Sequence, residues 1–376
     1  MKTRILITMP LCLLLLGLSS SCSKDNLPEG LEFSVMNNPS KFPLMNDKGG
    51  FVYEIKVKNT SIDGYVFESL QVSDGSTIIQ NLSGNELDTV VSVYHSSRKS
   101  LMAGETAFLF MWVETPSGSI APESLKQTIR FNRISDGKQY TKELNVSVEE
   151  KKPVVLSAPL RARRYATAGA PSNASYHRRT INFLDEKFWT SEKYAVDFIG
   201  LDDGNRYRTG RQDANIDYYG YEDIVYSTTA GEIESVIDTL PDNTPPNVPT
   251  VDPKALYRTG GNQVVVKVSS GVYVYYAHLV RASINLKKGD KVEIGQPIGR
   301  LGNSGNSDAP QLHLQVMDGA DPLRSNGIPW VFDRFTLHGN ITGYDHTNGM
   351  IKVNYLTVQR EISGKNFNGD VVVGYE

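Results

Sequence analysis

The sequence predicts an all-β protein with two domains: an N-terminal immunoglobulin-like β-sandwich and a second β-rich domain with longer loops. Three observations lead to this prediction. Apolar residues alternate with polar residues at period two, turn residues separate the resulting segments, and the first half has no stretch with helical periodicity. The length of 376 residues is sufficient for two domains and additional segments.

The composition excludes several kinds of chemistry. Apolar residues make up 39% and charged residues 22%, so the chain can bury ordinary cores. The two cysteines, Cys12 and Cys22, both lie near the N-terminus. A disulfide framework, a cysteine-ligated metal site and a thiol nucleophile in the folded body are therefore excluded. Metal or proton-transfer chemistry has six histidines to draw on: His95, His177, His278, His313, His338 and His346.

The N-terminus has the pattern of an export signal. Lys2 and Arg4 precede an apolar run over residues 5–18, and three serines lead into Cys22. This resembles a bacterial lipoprotein signal, which implies removal of residues 1–21 and lipidation of Cys22. A plain secretory signal is the alternative, and the run is shorter than the roughly 20 residues that a membrane span needs.

The predicted lipid implies a location. Acyl chains on Cys22 would hold the protein on a membrane, which indicates the cell envelope and the outer membrane, and the segment 23–26 is similar to tags that direct lipoproteins to the cell surface. Removal of residues 1–21 takes away two basic residues and changes the net charge from −3 to −5. Nothing in this charge favours nucleic acid as a partner.

The domain boundaries follow from changes in pattern. Residues 22–48 are predicted to be a tether because Pro, Asn and Gly interrupt them and little periodicity is visible. Residues 49–153 are predicted to form the sandwich, beginning with a half-buried strand over 51–57 in which Phe51, Tyr53 and Ile55 face inward. Residues 149–153 serve as the linker.

The second domain is predicted over residues 160–340. Strands are expected at 263–268, 272–278, 297–301 and 311–317, with a long proline-containing loop at 238–252. Residues 341–376 alternate again and are predicted to be a C-terminal β extension.

Three predicted strands carry residues with chemical potential. Because a strand places residues i, i+2 and i+4 on one face, each strand is expected to present a pair of polar side chains together. These pairs are Lys193 with Asp197, Tyr276 with His278, and Gln311 with His313.

The segments around these strands stand in a recognisable order. They are Tyr-Ala-Val-Asp-Phe at 194–198, Tyr-Ala-His-Leu at 276–279, Lys-Lys-Gly-Asp-Lys-Val at 287–292, Gly-Gln-Pro-Ile-Gly at 295–299, Gly-Asn-Ser-Gly-Asn-Ser at 302–307 and Gln-Leu-His-Leu at 311–314. This order resembles the lysostaphin/LytM-type zinc metallopeptidases, metallopeptidase family twenty-three, which cut peptide cross-links of bacterial cell walls. The resemblance covers roughly residues 50–338, and it implies an antiparallel β-sheet core of the duplicated-hybrid-motif type.

The resemblance also implies roles for individual residues. Asp197 matches the carboxylate ligand of zinc, His313 matches the last ligand, and His278 matches a histidine beside the catalytic water. Two positions depart from the pattern. Lys193 stands in place of the first ligand, and Gln311 stands in place of the second catalytic histidine.

These departures leave alternatives open. A protonated lysine cannot ligate a metal, and Lys193 could instead pair with Asp197 in the place of the cation. Gln311 can orient water or substrate but cannot accept a proton, so this work would fall to His278 or to a carboxylate. His177, twenty residues before Asp197, could return as the missing ligand, or it could be a surface or packing histidine.

Two further residues are candidates for substrate contacts. Arg178 presents a guanidinium that suits a substrate carboxylate, although structural ion pairing is an equal alternative. Tyr276 is the other candidate, with ordinary strand packing as its alternative. His95, His338 and His346 are expected at exposed positions.

The leading hypothesis is a lipid-anchored zinc metallopeptidase that acts on peptidoglycan peptides. The rival hypothesis is a catalytically lapsed module that binds peptidoglycan or regulates a cell-wall hydrolase, and the departures at Lys193 and Gln311 motivate it. A third reading, a sandwich-led adhesin or glycan binder, rests on the first domain alone.

Overall fold

The computed structural model describes residues 27–248 and 253–375, apart from the side chains of 253 and 254. The all-β prediction is confirmed: the helical segments of this described part are only α1 (Gly84–Val90), α2 (Tyr176–Arg179) and two 3₁₀ turns (Asn215–Asp217 and Pro253–Arg258). No helix in these ranges combines the length and the apolar character that crossing a bilayer requires. The predicted signal peptide and Cys22 lie outside the described residues.

The first half is a β-sandwich of two antiparallel sheets. Its strands are β1 (Leu31–Val35), β2 (Phe42–Pro43), β3 (Lys48–Asn59), β4 (Tyr65–Ser73), β5 (Ile78–Ser83), β6 (Val91–Val93), β7 (Ser100–Leu101), β8 (Thr106–Pro116), β9 (Ser124–Arg133) and β10 (Gln139–Ser147). One sheet has the order β1-β3-β8-β6 with β2 beside β3, and the other has the order β10-β9-β4-β5 with β7 beside β4. Apolar side chains fill the space between the sheets. The immunoglobulin-like character stays a prediction.

The predicted tether is structured where it is described. Leu31, Phe33 and Val35 alternate with polar residues, and β1 pairs along the whole of its length with β3. Further along, Phe42 and Leu44 are fully buried. The tether prediction is therefore wrong for residues 31–48, because two short apolar segments separated by Asn and Pro have strand and core partners in the rest of the chain.

Strand β3 is not half-buried as predicted. Tyr53 and Ile55 face the sandwich core, but Val52 and Glu54 on the opposite face are also buried. Val52 and Trp112 belong to the apolar core of the second half. The outer face of this sheet is therefore an interface between the two halves.

The second half is built on one large sheet. Two small two-stranded sheets accompany it. The strands of all three sheets are β11 (Val154–Leu156), β12 (Tyr165–Ala168), β13 (Asn182–Leu184), β14 (Lys187–Trp189), β15 (Val196–Gly200), β16 (Ile224–Tyr226), β17 (Gly231–Ile237), β18 (Asn262–Ser269), β19 (Val272–Leu279), β20 (Lys291–Val292), β21 (Pro297–Arg300), β22 (Leu312–Met317), β23 (Trp330–Asp345), β24 (Met350–Lys365) and β25 (Val371–Gly374). The small sheets pair β13 with β14 and β16 with β21. The large sheet has the order β11-β23-β25-β12-β15-β22-β19-β18-β17-β20, with β24 beside β23.

The C-terminal segment is part of this sheet. Strand β23 crosses the predicted boundary at residue 340, and β25 lies between β23 and β12. Val371 and Val373 are fully buried in the common core. Residues 341–375 thus pack back on the second domain as strands, and β25 pairs with both β12 and β23.

Candidate metal centre

Two of the predicted ligands lie on neighbouring strands in the middle of the large sheet. Asp197 on β15 is directly opposite His313 on β22 in the antiparallel register. The Oδ1 atom of Asp197 is 2.9 Å from Nδ1 of His313. The alternating core residues Leu312, Leu314 and Val316 fix which face of β22 presents His313, as the sequence predicts.

His177 joins this pair from a loop. It lies on the single turn α2, and its Nε2 is 3.3 Å from Oδ2 of Asp197. Its Nδ1 is 2.9 Å from the carbonyl oxygen of Gly169. Gly169 has a φ of +57°, and a Cβ there would lie 2.6 Å from His177 Nδ1, so only glycine permits this approach. Ser175 caps the turn and donates to the same carbonyl at 2.6 Å.

The hydrogen bonds around the three residues fit a metal ion. The donor nitrogens and carboxylate oxygen of His177, Asp197 and His313 all lie within 4.8 Å of one another, and all three residues are buried. Nδ1 of His177 donates to the Gly169 carbonyl, which leaves a lone pair on Nε2. Nε2 of His313 is 2.9 Å from Oε1 of Gln315 and donates to it, which leaves a lone pair on Nδ1.

With both rings neutral, two lone pairs face the two oxygens of one carboxylate. Such an arrangement is repulsive unless positive charge lies between the atoms, either as protons on both imidazoles or as one shared cation. Two imidazole nitrogens and a carboxylate oxygen are a donor set that zinc accepts, and orientation of each imidazole by a further acceptor is usual in zinc sites.

The electrostatics agree with this description. Burial opposes the charge on His177, but Asp197 outweighs it and raises the pKa of His177 to about 9. Burial likewise opposes the charge on Asp197, but the two histidines hold the pKa of its carboxyl well below the usual value. The carboxylate is thus ionised and in need of a positive partner.

His278 lies beside the three residues and stays neutral. Its ring centroid is 5.9 Å from that of His313, and its Nδ1 is 2.8 Å from the carbonyl oxygen of Ser304. Burial, together with repulsion from His313, lowers the pKa of His278 to about 4. Because Nδ1 donates to the Ser304 carbonyl, Nε2 is free to accept a hydrogen bond.

A local irregularity in β19 sets the position of His278. His278 has a φ of +63°, and the pairing with β18 shifts register between Asn262 and Val264, which places an extra residue on β19. The predicted common face of Tyr276 and His278 is therefore wrong. Tyr275, rather than Tyr276, faces the site, with its ring centroid 6.0 Å from that of His313.

The three residues lie in an open cleft of about 950 Å³. Gln311 and His278 line it together with the ligand candidates, and its wall includes an aromatic set: Tyr176, Tyr207, Tyr218, Tyr275 and Tyr344. The phenol of Tyr176 donates to Oδ2 of Asp197 at 2.6 Å. Every lining residue comes from the range 168–346, so the sandwich does not cover the cleft.

Lys193 is not where the sequence predicts it. Strand β15 begins at Val196, and Lys193 lies in the preceding turn over 191–194. Its Nζ is 2.7 Å from Oε2 of Glu54, in the sandwich. The expectations that Lys193 shares a strand face with Asp197, or pairs with it, are both wrong, because a buried carboxylate from the other half takes the ammonium group.

The two candidates for substrate contact do not reach the cleft. The Arg178 side chain is fully buried, pairs with Glu54, and donates to the carbonyl oxygens of Tyr53 and Met111 at 3.0 and 3.1 Å. Tyr276 is fully buried, and its hydroxyl lies 2.7 Å from Thr228 Oγ1. Both substrate-binding predictions are wrong, and the alternatives of ion pairing and strand packing describe these residues.

The other three histidines differ in exposure. His95 and His346 are exposed as predicted, but His346 also lines the cleft and has its Nδ1 3.3 Å from the Tyr207 hydroxyl. His338 is half-buried within β23 rather than exposed in a turn.

Two residues that contact the site were missed. Gln315 follows His313 by two residues on the same strand face, so the alternation that placed His313 also predicts its position. Tyr176 precedes His177, but its contact with Asp197 depends on the path of the loop. No spacing rule would have found it.

Comparisons with known proteins find similar sequences in the second half of the chain. Residues 244–325 match the sequence profile of Peptidase family M23. The glycyl-glycine endopeptidase ALE-1 of Staphylococcus capitis is 33% identical over 116 residues, which cover 30% of this chain and 32% of ALE-1. Lysostaphin of Staphylococcus simulans is 46% identical over 59 residues, 15% of this chain and 12% of lysostaphin. The chain thus spans about a third or less of these relatives.

One solved structure matches over part of this chain. The M23 metalloprotease pseudoalterin from the deep sea is 14% identical, with a TM-score of 0.28, and the match covers 56% of this chain and 98% of pseudoalterin. On the sequence match, the chain contains a peptidase M23 domain. Proteins of this family are zinc metallopeptidases; His313 lies within the matched residues, and His177 and Asp197 precede them in the chain.

Proposed function

We propose that this protein is a zinc-dependent peptidase that hydrolyses peptide bonds in the cross-links of peptidoglycan. The observation that carries the proposal is the convergence of two imidazole nitrogens, His177 Nε2 and His313 Nδ1, on the Asp197 carboxylate at the wall of an open cleft. The similarity to ALE-1 and lysostaphin supports the cell-wall substrate.

The residues of the chain would divide the work as follows. His177, Asp197 and His313 would hold the metal. When bound, zinc supplies a Lewis acid for the scissile carbonyl and makes water a stronger acid. The free Nε2 of His278 is the proton acceptor in the cleft, because Nδ1 is committed to Ser304 and the ring is neutral at pH 7. Gln311 can orient water or the peptide through its amide, but it cannot hold the proton.

The first experiment measures metal content and hydrolysis. Purified mature protein is expected to contain one zinc per chain and to release cross-link peptides from cell-wall sacculi. His313→Ala is expected to lose both properties. His95→Ala, at an exposed position in the sandwich, is the matched control and should keep both. A wild-type protein with neither metal nor hydrolysis would refute the proposal.

A second candidate function is a lapsed module that binds peptidoglycan or regulates a hydrolase. Gln311 favours it, because the cleft then has one fewer proton-transferring side chain than the resembled family. This candidate predicts binding to sacculi without hydrolysis, unaffected by a zinc chelator. Gln311→His discriminates further: a positioned general base contributes about 10²–10⁴-fold, so a gain of this size over an inactive wild type would support the lapsed module.

We also propose that the protein is anchored in the cell envelope through lipid on Cys22. The basic residues, apolar run and small residues before Cys22 support this. Cys22→Ala is expected to move the protein from the membrane fraction to the soluble fraction, whereas Cys12→Ala should not. An unchanged membrane fraction in Cys22→Ala would contradict the anchor.

A further inference from the structure

A buried carboxylate in the sandwich contacts both segments that carry the first two metal ligands. Glu54 lies on β3 and is completely buried. One of its oxygens pairs with the Arg178 guanidinium, and the other is 2.7 Å from Nζ of Lys193. Arg178 directly follows His177, and Lys193 precedes Asp197 by four residues.

We propose that Glu54 is a positioning residue for the metal centre: through Arg178 and Lys193 it fixes the segments that bring His177 and Asp197 together. The inference rests on the proposed function in that it takes these two residues as ligands. It also gives Lys193 a role. This residue departs from the resembled pattern, and it serves as an anchor while His177 supplies the nitrogen ligand.

The strength of this contact follows from burial. Burial alone would disfavour the Glu54 carboxylate, but the charges of Arg178 and Lys193 outweigh it and hold its pKa below the usual value. The Arg178 guanidinium is further fixed by the carbonyls of Tyr53 and Met111, on β3 and β8. A charged group in such surroundings cannot shift without leaving a buried charge unpaired.

The two segments also have bonds of their own: Ser175 caps α2, and the carbonyl of Tyr194 accepts from Trp330 Nε1 at 2.9 Å. Turn α2 is four residues long, too short to be stable by itself. The turn before Asp197 is closed by two backbone hydrogen bonds, from Lys193 N to Thr190 O at 3.2 Å and from Ala195 N to Glu192 O at 2.9 Å. Asp197 itself is held by strand pairing with β12 and β22, so the sandwich contacts act on α2 and on the turn before β15, which bring His177 to Asp197.

The apolar part of the interface supports the same conclusion. The ring of Phe42 packs edge-on against Trp112 and Tyr194, with centroids 6.3 and 5.4 Å apart. Tyr194 is the neighbour of Lys193, so two adjacent residues of the anchored turn contact the sandwich.

The test shortens the anchor without removing its charge. Glu54→Asp retains the carboxylate but lacks one methylene and cannot reach both cations. Glu114→Asp is the matched control, because Glu114 lies on the adjacent strand β8 and pairs with Lys48 at 2.8 Å within the sandwich. Both variants are compared with the full-length mature protein.

Amide hydrogen exchange of metal-free protein is the first measurement. In Glu54→Asp we expect exchange at least about tenfold faster in residues 175–180 and 190–196, with the rest of the large sheet unchanged. Glu114→Asp should match the wild type in these segments. Unchanged exchange in Glu54→Asp would overturn the proposal whether or not the protein binds metal.

Cobalt(II) binding is the second measurement, read from visible absorption. We expect about tenfold weaker affinity and altered ligand-field bands in Glu54→Asp only. Faster exchange with unchanged affinity would overturn the positioning role. If the wild type takes up no metal, the proposed function fails, and the exchange data alone decide whether Glu54 fixes the segments.

A second variant covers the case in which Glu54→Asp does not fold. The triple variant Glu54→Leu, Arg178→Met, Lys193→Met replaces the buried charges by apolar groups, a change that commonly preserves stability. We expect a folded protein with the same faster exchange and weaker cobalt binding. Wild-type exchange and affinity in this variant would overturn the proposal.

Discussion

Two buried carboxylates, Asp197 and Glu54, each lie between two basic side chains, but the bases differ. Asp197 faces two imidazoles whose remaining nitrogens are committed to Gly169 and Gln315. Glu54 faces a guanidinium and an ammonium. Imidazoles can lose their protons and offer lone pairs to a metal, whereas Arg and Lys remain cations. The type of base thus separates a metal centre from a permanent ion pair.

Replacing each carboxylate by its amide should show the difference between the two clusters most strongly. Glu54→Gln leaves two buried cations without a partner, and we expect it to lower the free energy of unfolding by about 3–5 kcal/mol. Asp197→Asn should cost less in metal-free protein, about 1–3 kcal/mol, because its histidines can become neutral. Chemical denaturation measures both, and equal losses would contradict the distinction.

Zinc should stabilise the folded protein through the cluster of His177, Asp197 and His313. At a free zinc concentration of 100 times the dissociation constant, the free energy of unfolding should rise by about 2.7 kcal/mol. Thermal unfolding with zinc and with a chelator measures this. His177→Ala should abolish the difference, whereas His338→Ala should retain it. A zinc effect that survives in His177→Ala would show that this residue is not a ligand.

Orientation of the imidazole by Gln315 is expected to have a smaller effect. Gln315→Leu removes the acceptor for His313 Nε2, so the ring can adopt the other tautomer, and zinc affinity should fall about 10–100-fold. Gln263→Leu is a control on the same sheet, since Gln263 contacts Tyr275 rather than a ligand candidate. Competition with a metal-sensitive dye gives the affinity, and unchanged binding in Gln315→Leu would contradict the assigned tautomer.

The expected change in zinc affinity for each pH unit is the smallest of these effects. The pKa of His177 is raised from 6.5 to about 9 in the metal-free protein, so its contribution to stability is complete below pH 6.5 and is lost as pH rises through 9. Zinc must displace this proton, and its affinity should therefore rise about tenfold per pH unit between 6.5 and 9. Calorimetry in two buffers measures the proton released. Affinity independent of pH would contradict a protonated His177.

Much of the fold could be predicted, because it depends on local alternation. The placement of His313 on one face of β22, and of the core residues on the other face, follows from period two alone. Alternation fails at β19, where one extra residue moves His278 relative to Tyr276 and reverses which side chain faces the cleft. A bulge of this kind depends on how β19 pairs with β18, and this pairing cannot be read from the sequence of β19 alone.

The candidate site was predictable in part for a similar reason. Asp197 and His313 stand on strands, and their motifs indicate them. His177 reaches the site through a loop, so the sequence leaves its position open. The role of Lys193 depends on Glu54, which is 139 residues away and in another half of the chain. Period two predicts that Glu54 faces away from the sandwich core, but not that a second domain covers it.

The shared core of Phe42, Leu44 and Trp112 with the large sheet has a consequence for modularity. A cut in the predicted linker at 149–153 would not release an independently stable second half, because the fragment would expose the apolar surface that these residues cover. Fusion of residues 154–376 to an unrelated partner would therefore give an aggregation-prone, poorly soluble product. Recombination between relatives should preserve the two halves together, as one inherited unit.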